Sequence, residues 1–351
     1  MKFGRIRVED GQLIFTRHMV LNTLPVKDIL WAYISKESSN AEDEKLMLGH
    51  ELVIFTGRRK EYHFDMSEKE AESCVMFLKA LNPDMASGYP AGMRIRLESL
   101  PNTRDLGGLV TMDNKHIIPG RLIRSGDLYH ISQQDQRILL EDYNVTRVID
   151  LRTRREADLR PDTVMPGVEY YRISVFDEEL KHPGPLFGDI EEAMDSSTVW
   201  TEEQLAKTYE NVINDIYSVK QIARFIDVVL KTERGAVLWH GTTGKDRTGI
   251  TTAMLLALLG VPRDTIMADF LRSNNYMEED MKHMYRLLES RPEDTRIQEQ
   301  NLEFYYRVQE NCLNRLFRAI DRKYGSIYQF FRRELYMSSK AMESVKERYL
   351  L

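Results

Sequence analysis

The chain is short of cysteine, of unbroken apolar runs and of surplus positive charge. Among 351 residues there are two cysteines, Cys74 and Cys312. Two thiols so far apart, in segments read below as different domains, make neither a disulfide framework nor a cysteine-based metal set, and they are compatible with a reducing, cytoplasmic setting. No apolar run approaches the roughly 18 residues that would cross a bilayer, so no transmembrane segment is expected. The longest run, residues 250–261, has the length of a buried helix. The first residues alternate with polar ones and contain no secretory apolar stretch. Lys and Arg number 49 against 55 Asp and Glu, a net charge of −6. That balance lacks the basic footprint nucleic-acid binding requires. Nothing in the pattern asks for a cofactor or a metal ion. The length leaves room for two domains.

Residues 1–83 read as strands followed by one helix. Asp10-Gly11 between short apolar runs is a hairpin signal, and residues 56–59 mark a second hairpin. Ser67 with Glu70 three residues on forms a capping box. After it, Ala71, Cys74, Val75, Leu78 and Leu81 recur at helical spacing, and Asn82-Pro83 closes the helix. Antiparallel strands closed by a C-terminal amphipathic helix resemble a pleckstrin-homology-like domain. The resemblance implies a module that docks an anionic lipid, a peptide or another partner. Arg58, Arg59 and Lys60 at a hairpin tip could meet an anionic headgroup, and equally fit a solvated turn. Cys74, on the apolar face, reads as core packing.

Residues 84–100 are rich in turn formers and read as a linker. From residue 101 onward strands alternate with helical patterns. Strand-like segments lie near 121–123, 145–151, 168–174 and 237–239, a helix is read over 132–140, residues 182–195 are loop-like and helical periodicity covers 201–230. That alternation predicts an α/β domain over 101–351 with a central, mostly parallel sheet and flanking helices. Functional loops of such sheets lie beyond the carboxyl ends of the strands.

One such loop stands out. Residues 237–240 form an apolar run ending in His240, and two glycines, Gly241 and Gly244, precede a helix start. Loop and first-turn N–H groups have no helical partner, so this device cradles anions. Arg247 adds a planar, permanently charged fork suited to two phosphate oxygens. The stretch resembles the signature loop of cysteine-dependent tyrosine and dual-specificity phosphatases: His-Cys, five residues, then Arg followed by Thr or Ser. His240, Gly244, Arg247 and Thr248 fall on that pattern. Further blocks follow in order: Asn102-Thr-Arg-Asp-Leu-Gly-Gly108, Arg124-Ser-Gly-Asp-Leu128, Val148-Ile-Asp-Leu-Arg-Thr153 with Glu156, Ile266-Met-Ala-Asp-Phe-Leu271 with Ser273-Asn274, and Tyr324-Gly-Ser326. Together they resemble the bacterial tyrosine/dual-specificity phosphatase family that includes secreted mycobacterial phosphatases.

The resemblance implies hydrolysis of a phosphomonoester through a cysteinyl-phosphate, with a phosphorylated protein or a phosphoinositide as substrate. The N–H groups of Thr242, Thr243, Gly244, Lys245, Asp246 and Arg247 would hold the phosphate. The Arg247 fork would clamp two oxygens and Lys245 would add a charge at the rim. His240 would order the loop, and Thr248 would bond the thiolate. Asp246 matches a position used as general acid, and Asp177 is a second candidate. Arg124, Asp127, Asp150, Asn102 and Arg104 read as supporting, structural residues. Gly241 falls where the family carries its nucleophilic cysteine. Phosphate binding with little or no turnover is therefore expected. A natural pseudophosphatase acting as a phospho-ligand scaffold and an inactivated form of an active enzyme both fit.

Overall fold

The structure is a computed structural model, which describes residues 1–17, 20–35, 50–56, 60–87, 94–177, 199–290 and 295–351. Arg58, Arg59 and the 182–195 stretch lie outside the described residues. Among the described residues, three sheets organise the fold.

The first sheet is an antiparallel meander of Lys2–Phe3, Ile6–Glu9, Gln12–Arg17 and Val20–Pro25. Glu9 pairs with Gln12, and the two residues between them, Asp10 and Gly11, both have positive φ. That is the geometry a two-residue hairpin needs, and Asp-Gly supplies it. The second sheet runs Glu61–Met66, His50–Thr56, Ile29–Ser35, Ala86–Ser87. Helix Glu68–Leu81 carries the expected capping box at Ser67 and Glu70. It buries Ala71, Cys74 and Leu78 with Leu13, Phe15, Leu52 and Ile54. Phe15 meets the edges of Tyr62 and Phe64 at 5.2 and 5.0 Å. Past the helix end, the Asn82 amide donates to the Val26 and Ile29 carbonyls at 2.9 Å each, which ties the helix to the strands. Burial pushes the Cys74 thiol up to about 12, as befits a packing residue.

The described residues of the stretch expected to link the two parts pack on both sides. Ala86–Ser87 pairs in parallel with Trp31 and Ala32. Ile95, Leu97 and Leu100 are buried with Ile123, Val148 and Leu238 of the third sheet.

The third sheet has the order Glu169–Arg172, Val145–Asp150, Ala236–His240, Leu122–Ser125, Arg104–Asp105. The first four strands are parallel and the fifth is antiparallel to its neighbour. This is an α/β fold with a mostly parallel sheet. The predicted helix over 132–140 appears as Gln133–Arg137 running into a wider π turn, Ile138–Asp142. The 201–230 pattern resolves into Glu202–Asn211 and Ile216–Leu230. Helix Asp246–Leu259 packs Ile250, Met254 and Leu255 into the main core with Trp239 and Phe225. It starts four residues before the apolar run, and its first residues, Asp246, Arg247 and Thr248, are buried despite being polar. Trp239 Nε1 donates to Thr252 Oγ1 at 3.0 Å and fixes this helix on its strand. Among the described residues no helix is long and apolar enough to cross a membrane.

Candidate functional site

Asp150 and Ser125 are both in register with His240, so three parallel strands end level and residues 241–247 begin just beyond their carboxyl edge. Gly244 has φ +72°, and a Cβ there would stand 2.2 Å from the Ser125 carbonyl oxygen. Only glycine fits the loop against that strand end.

The outer face of the loop is held by three donors. The Asp127 N–H reaches the Thr242 carbonyl at 3.0 Å. The Asn102 side-chain amide reaches the Thr243 carbonyl at 3.0 Å, and Arg124 Nη2 reaches the Gly244 carbonyl at 2.9 Å. In a planar trans peptide the C=O and the following N–H point oppositely. Three carbonyls drawn outward therefore aim the N–H groups of Thr243, Gly244 and Lys245 inward. Among the described residues no acceptor meets the backbone N–H groups of residues 242–247, and the first helical bond runs from the Gly249 N–H to the Lys245 carbonyl. Unpaired donors at a helix start form an anion site.

These holding groups are anchored in turn. Arg104 donates to the Asn102 side-chain oxygen at 2.6 Å and to Asp269 at 2.8 Å, and Arg124 donates to Asp269 at 2.6 Å. All three ionic side chains are buried. Burial and the neighbouring Arg104 bring Arg124 down to about 10, still charged at neutral pH. Burial opposes the Asp269 charge, but the two guanidiniums hold its carboxyl at about 2.

Arg247 does not extend a free fork toward a ligand. Its Nη1 and Nη2 donate to the two oxygens of Glu156 at 2.6 Å each, and Nη2 also reaches Thr242 Oγ1 at 3.1 Å. This pairing positions the fork that the sequence expects to clamp two phosphate oxygens. Of the guanidinium donors, Nε is the one that lies 3.8 Å from the Cβ position of residue 241. Glu156 also caps its own helix, accepting from the Thr153 N–H and hydroxyl. Burial works against its charge, yet Arg247 and Thr153 hold the carboxyl down to about 2.

Lys245 is likewise not at the rim. It is 2% exposed, and its ammonium donates to Asp246, to the Phe304 carbonyl at 2.8 Å and toward the Arg307 carbonyl at 3.4 Å. Its side chain ties the loop to helix Arg296–Tyr306. Asp246 accepts from that ammonium and from the Tyr209 hydroxyl at 2.6 Å. Burial, then Asp246 itself, push the Tyr209 pKa far up, so the phenol keeps its proton and donates. Both groups donate to this carboxyl, so its oxygens act as acceptors here. Asp177 ends the described stretch before residue 178 and is half-buried.

His240 is fully buried. Its Nε2 meets the Asp162 carboxylate at 3.0 Å and its Nδ1 meets the Gly241 carbonyl at 3.3 Å. Both partners are acceptors, an arrangement that favours the protonated ring. Burial alone would lower its pKa, but Asp162 and Asp150 raise it above the ordinary value. His240, Asp150 and Asp162 also stand close enough to share a cation. Arg152 already supplies one, donating to Asp150 at 2.9 Å and to Asp162 at 2.7 Å.

The floor of the cradle is unusual. Thr248 Oγ1 is buried and has no hydrogen-bond partner among the described residues. A Cβ built on Gly241 would have that oxygen as its nearest neighbour, at 3.3 Å. A cavity of about 430 Å³ exists elsewhere, at the opposite, amino edge of the sheet, lined by residues such as Lys79, Arg121 and Tyr143. It does not reach the loop.

Sequence reasoning brought together residues 240–248 and their supports. It missed Glu156 as the partner of Arg247, Tyr209 as the partner of Asp246, and Asp162 as the partner of His240. Glu156 did carry a signal, the Thr153-x-x-Glu156 capping box, but that signal announces only a helix start.

Comparison with known proteins identifies a family. The model of the tyrosine phosphatase family matches residues 95–351. The chain belongs to the tyrosine phosphatase family. It is 30% identical over 181 residues to a putative tyrosine-protein phosphatase of Cupriavidus necator, covering 51% of this chain and 63% of that protein. It is 32% identical over 158 residues to a tyrosine-protein phosphatase of Nostoc commune, covering 44% of this chain and 49% of that one. A triple specificity protein phosphatase, PtpB of Mycobacterium tuberculosis, is 28% identical over 191 residues, covering 50% and 67%. The chain thus spans about half to two thirds of the length of these relatives. Among solved structures, P. aeruginosa TpbA in complex with pTyr is similar at 14% identity and a TM-score of 0.26, covering 54% of this chain and 90% of that one.

Proposed function

We propose that residues 241–247 bind the phosphoryl group of a phosphomonoester and that the chain turns it over little or not at all by the covalent route. The observation that carries this reading is the orientation of the loop. Its carbonyls are drawn outward by Asp127, Asn102 and Arg124, and its N–H groups are left without acceptors. Arg247, held by Glu156, adds positive charge beside that centre. Gly241 has no side chain that could attack phosphorus. Cys312 is buried, and burial pushes its thiol up to about 12, where a protonated thiol is a poor nucleophile. The chain then acts as a pseudophosphatase, a holder of phosphorylated ligands. Asp246 keeps Lys245 in place, and Asp177 is the remaining candidate for an acid. Residues 1–83 serve as a pleckstrin-homology-like docking unit in a cytoplasmic protein, a reading supported by their two antiparallel-rich sheets and single helix.

The test is titration of the full chain with inorganic phosphate, phosphotyrosine and an inositol phosphate by calorimetry, with turnover followed in parallel. Binding to at least one of them, lost in Arg247→Ala, is expected. Turnover at rates typical of phosphatases would sink the reading. In Gly241→Cys the new Cβ sits 3.3 Å from Thr248 Oγ1, which must give by a few tenths of an ångström. That variant is expected to gain phosphatase activity.

A further inference from the structure

The cavity of about 430 Å³ lies where the N-terminal unit meets the α/β domain. Leu30 and Lys79 line it from the N-terminal unit, Met85 from the stretch that follows, and Ile118, Arg121 and Tyr143 from the α/β domain. Its wall also holds Asn144 and Gly235. Asn144, Arg121 and Gly235 each immediately precede one of the parallel strands Val145–Asp150, Leu122–Ser125 and Ala236–His240. Those strands run away from the cavity and end at the loop, so roughly 15–20 Å of extended chain separates the two places. The volume is that of a small-molecule pocket, and such pockets concentrate at seams between domains.

Two cations meet this space without a counter-ion. The Lys79 ammonium donates to the Met85 carbonyl at 2.6 Å, and Arg121 Nη2 donates to the Glu233 carbonyl at 3.2 Å. Met85 and Glu233 are themselves lining residues, so both cationic ends lie at the cavity wall. Lys79 and Arg121 are half-buried, and neither forms an ion pair among the described residues. The lining acids Asp84, Asp142 and Glu233 are exposed, where water screens them. Burial lowers the pKa of Lys79 more than Asp142 and Asp84 raise it, and burial likewise outweighs Tyr349 and Asp84 at Arg121. A cation in that position is short of negative charge. Tyr143 is half-buried as well, and its hydroxyl makes no hydrogen bond among the described residues. Burial, then Asp105 and Asp142, raise its pKa, so the phenol keeps its proton and is a donor. Leu30 and Ile118 add apolar wall beside these donors. We propose that this seam is a second ligand site, which takes a small organic oxyanion, its carboxylate or phosphate held by Lys79, Arg121 and Tyr143 and its apolar body laid against Leu30 and Ile118. The loop after His240 takes no part in this binding. Because the wall comes from both units, the ligand bridges them and stabilises the folded chain.

The experiment titrates the full chain with benzoate, with phenyl phosphate and with uncharged benzyl alcohol, by calorimetry and thermal melting. Lys79→Met, Arg121→Gln and Tyr143→Phe mark the seam, and Arg247→Ala marks the loop. At least one anion is expected to bind saturably and to raise the melting temperature with its concentration, while benzyl alcohol does neither. The tighter of the two anions tells a carboxylate ligand from a phosphate ester. Lys79→Met and Arg121→Gln are each expected to weaken that anion by about tenfold or more, the size of one charge-assisted hydrogen bond. Tyr143→Phe keeps the ring, loses only the hydroxyl and should weaken it by about threefold. Arg247→Ala should leave this binding within about threefold. Where Arg121→Gln or Arg247→Ala fails to fold, Lys79→Met and Tyr143→Phe decide. No saturable binding of either anion up to about 10 mM overturns the proposal. Equal binding of benzyl alcohol overturns it too, as does anion binding that Lys79→Met and Tyr143→Phe both leave unchanged. Anion binding lost in Arg247→Ala alone also overturns it, and leaves the loop as the site that binds.

Discussion

The loop after His240 and the N-terminal β unit are both well packed, but opposite kinds of residue pack them. In the N-terminal unit the core side chains are mostly apolar: Leu13, Phe15, Leu52, Ile54 and Leu78 fill the space between two sheets and one helix. Around the loop the buried side chains are ionic: Arg104, Arg124, Asp269, Arg152, Asp150, Glu156 and Arg247. Burying apolar area stabilises without direction. Burying charges costs several kcal/mol per ion unless each finds a partner. Here each carboxylate does, at 2.6 to 2.9 Å. The contrast teaches where this fold holds its shape by pairing charges rather than by burying apolar area.

The comparison can be tested from either side. The largest effect is expected from Arg247→Ala, which removes the cation beside the cradle and strands a buried Glu156. Phosphate affinity should fall by about 100-fold or more, and stability by about 3–5 kcal/mol. Calorimetry and thermal melting read the two. Asp269→Ala leaves Arg104 and Arg124 without their counter-ion and should cost about 3–5 kcal/mol as well. Its mark is a weakened phosphate site although Asp269 lies behind the loop. Leu78→Ala, in the N-terminal core, should cost about 2–5 kcal/mol and leave phosphate affinity unchanged. A matching loss of affinity would break the contrast between the regions.

Smaller effects come from titration and capping. His240 has a raised pKa in the folded chain, so its stabilisation is full below the ordinary imidazole value and is lost as pH rises through the folded value. Phosphate affinity and melting temperature should decline together over that rise, and His240→Gln should flatten the trend. Glu156 is depressed to about 2, so its contribution holds above the ordinary carboxyl range and fades as pH falls toward that value. Ser67→Ala, which removes the cap of the N-terminal helix, should cost only about 1 kcal/mol in denaturant unfolding.

The same contrast explains what the sequence could reveal. Apolar periodicity reports buried faces, so helix Glu68–Leu81 and strand Val145–Asp150 were legible to within a residue or so. The helix after the loop was read as starting near residue 250 because its first buried residues, Asp246 to Thr248, are polar. The anion cradle was legible because its glycines and arginine are adjacent in sequence. Its carboxylate partners were not. Glu156 and Asp162 lie about 80–90 residues upstream, and Tyr209 sits on a helix whose pattern announces only an amphipathic face. Sequence spacing says nothing about which charge meets which when the chain between them folds away. The wide π turn at Ile138–Asp142 also left no trace in the pattern.

The three donors on the outer face of the loop have a consequence for how this chain could change over time. Asp127, Asn102 and Arg124 set the curvature of the loop without using residue 241 at all. Grip and blade are therefore separable parts: a single codon at position 241 can blunt or sharpen the tool while the loop proposed as its grip keeps its form.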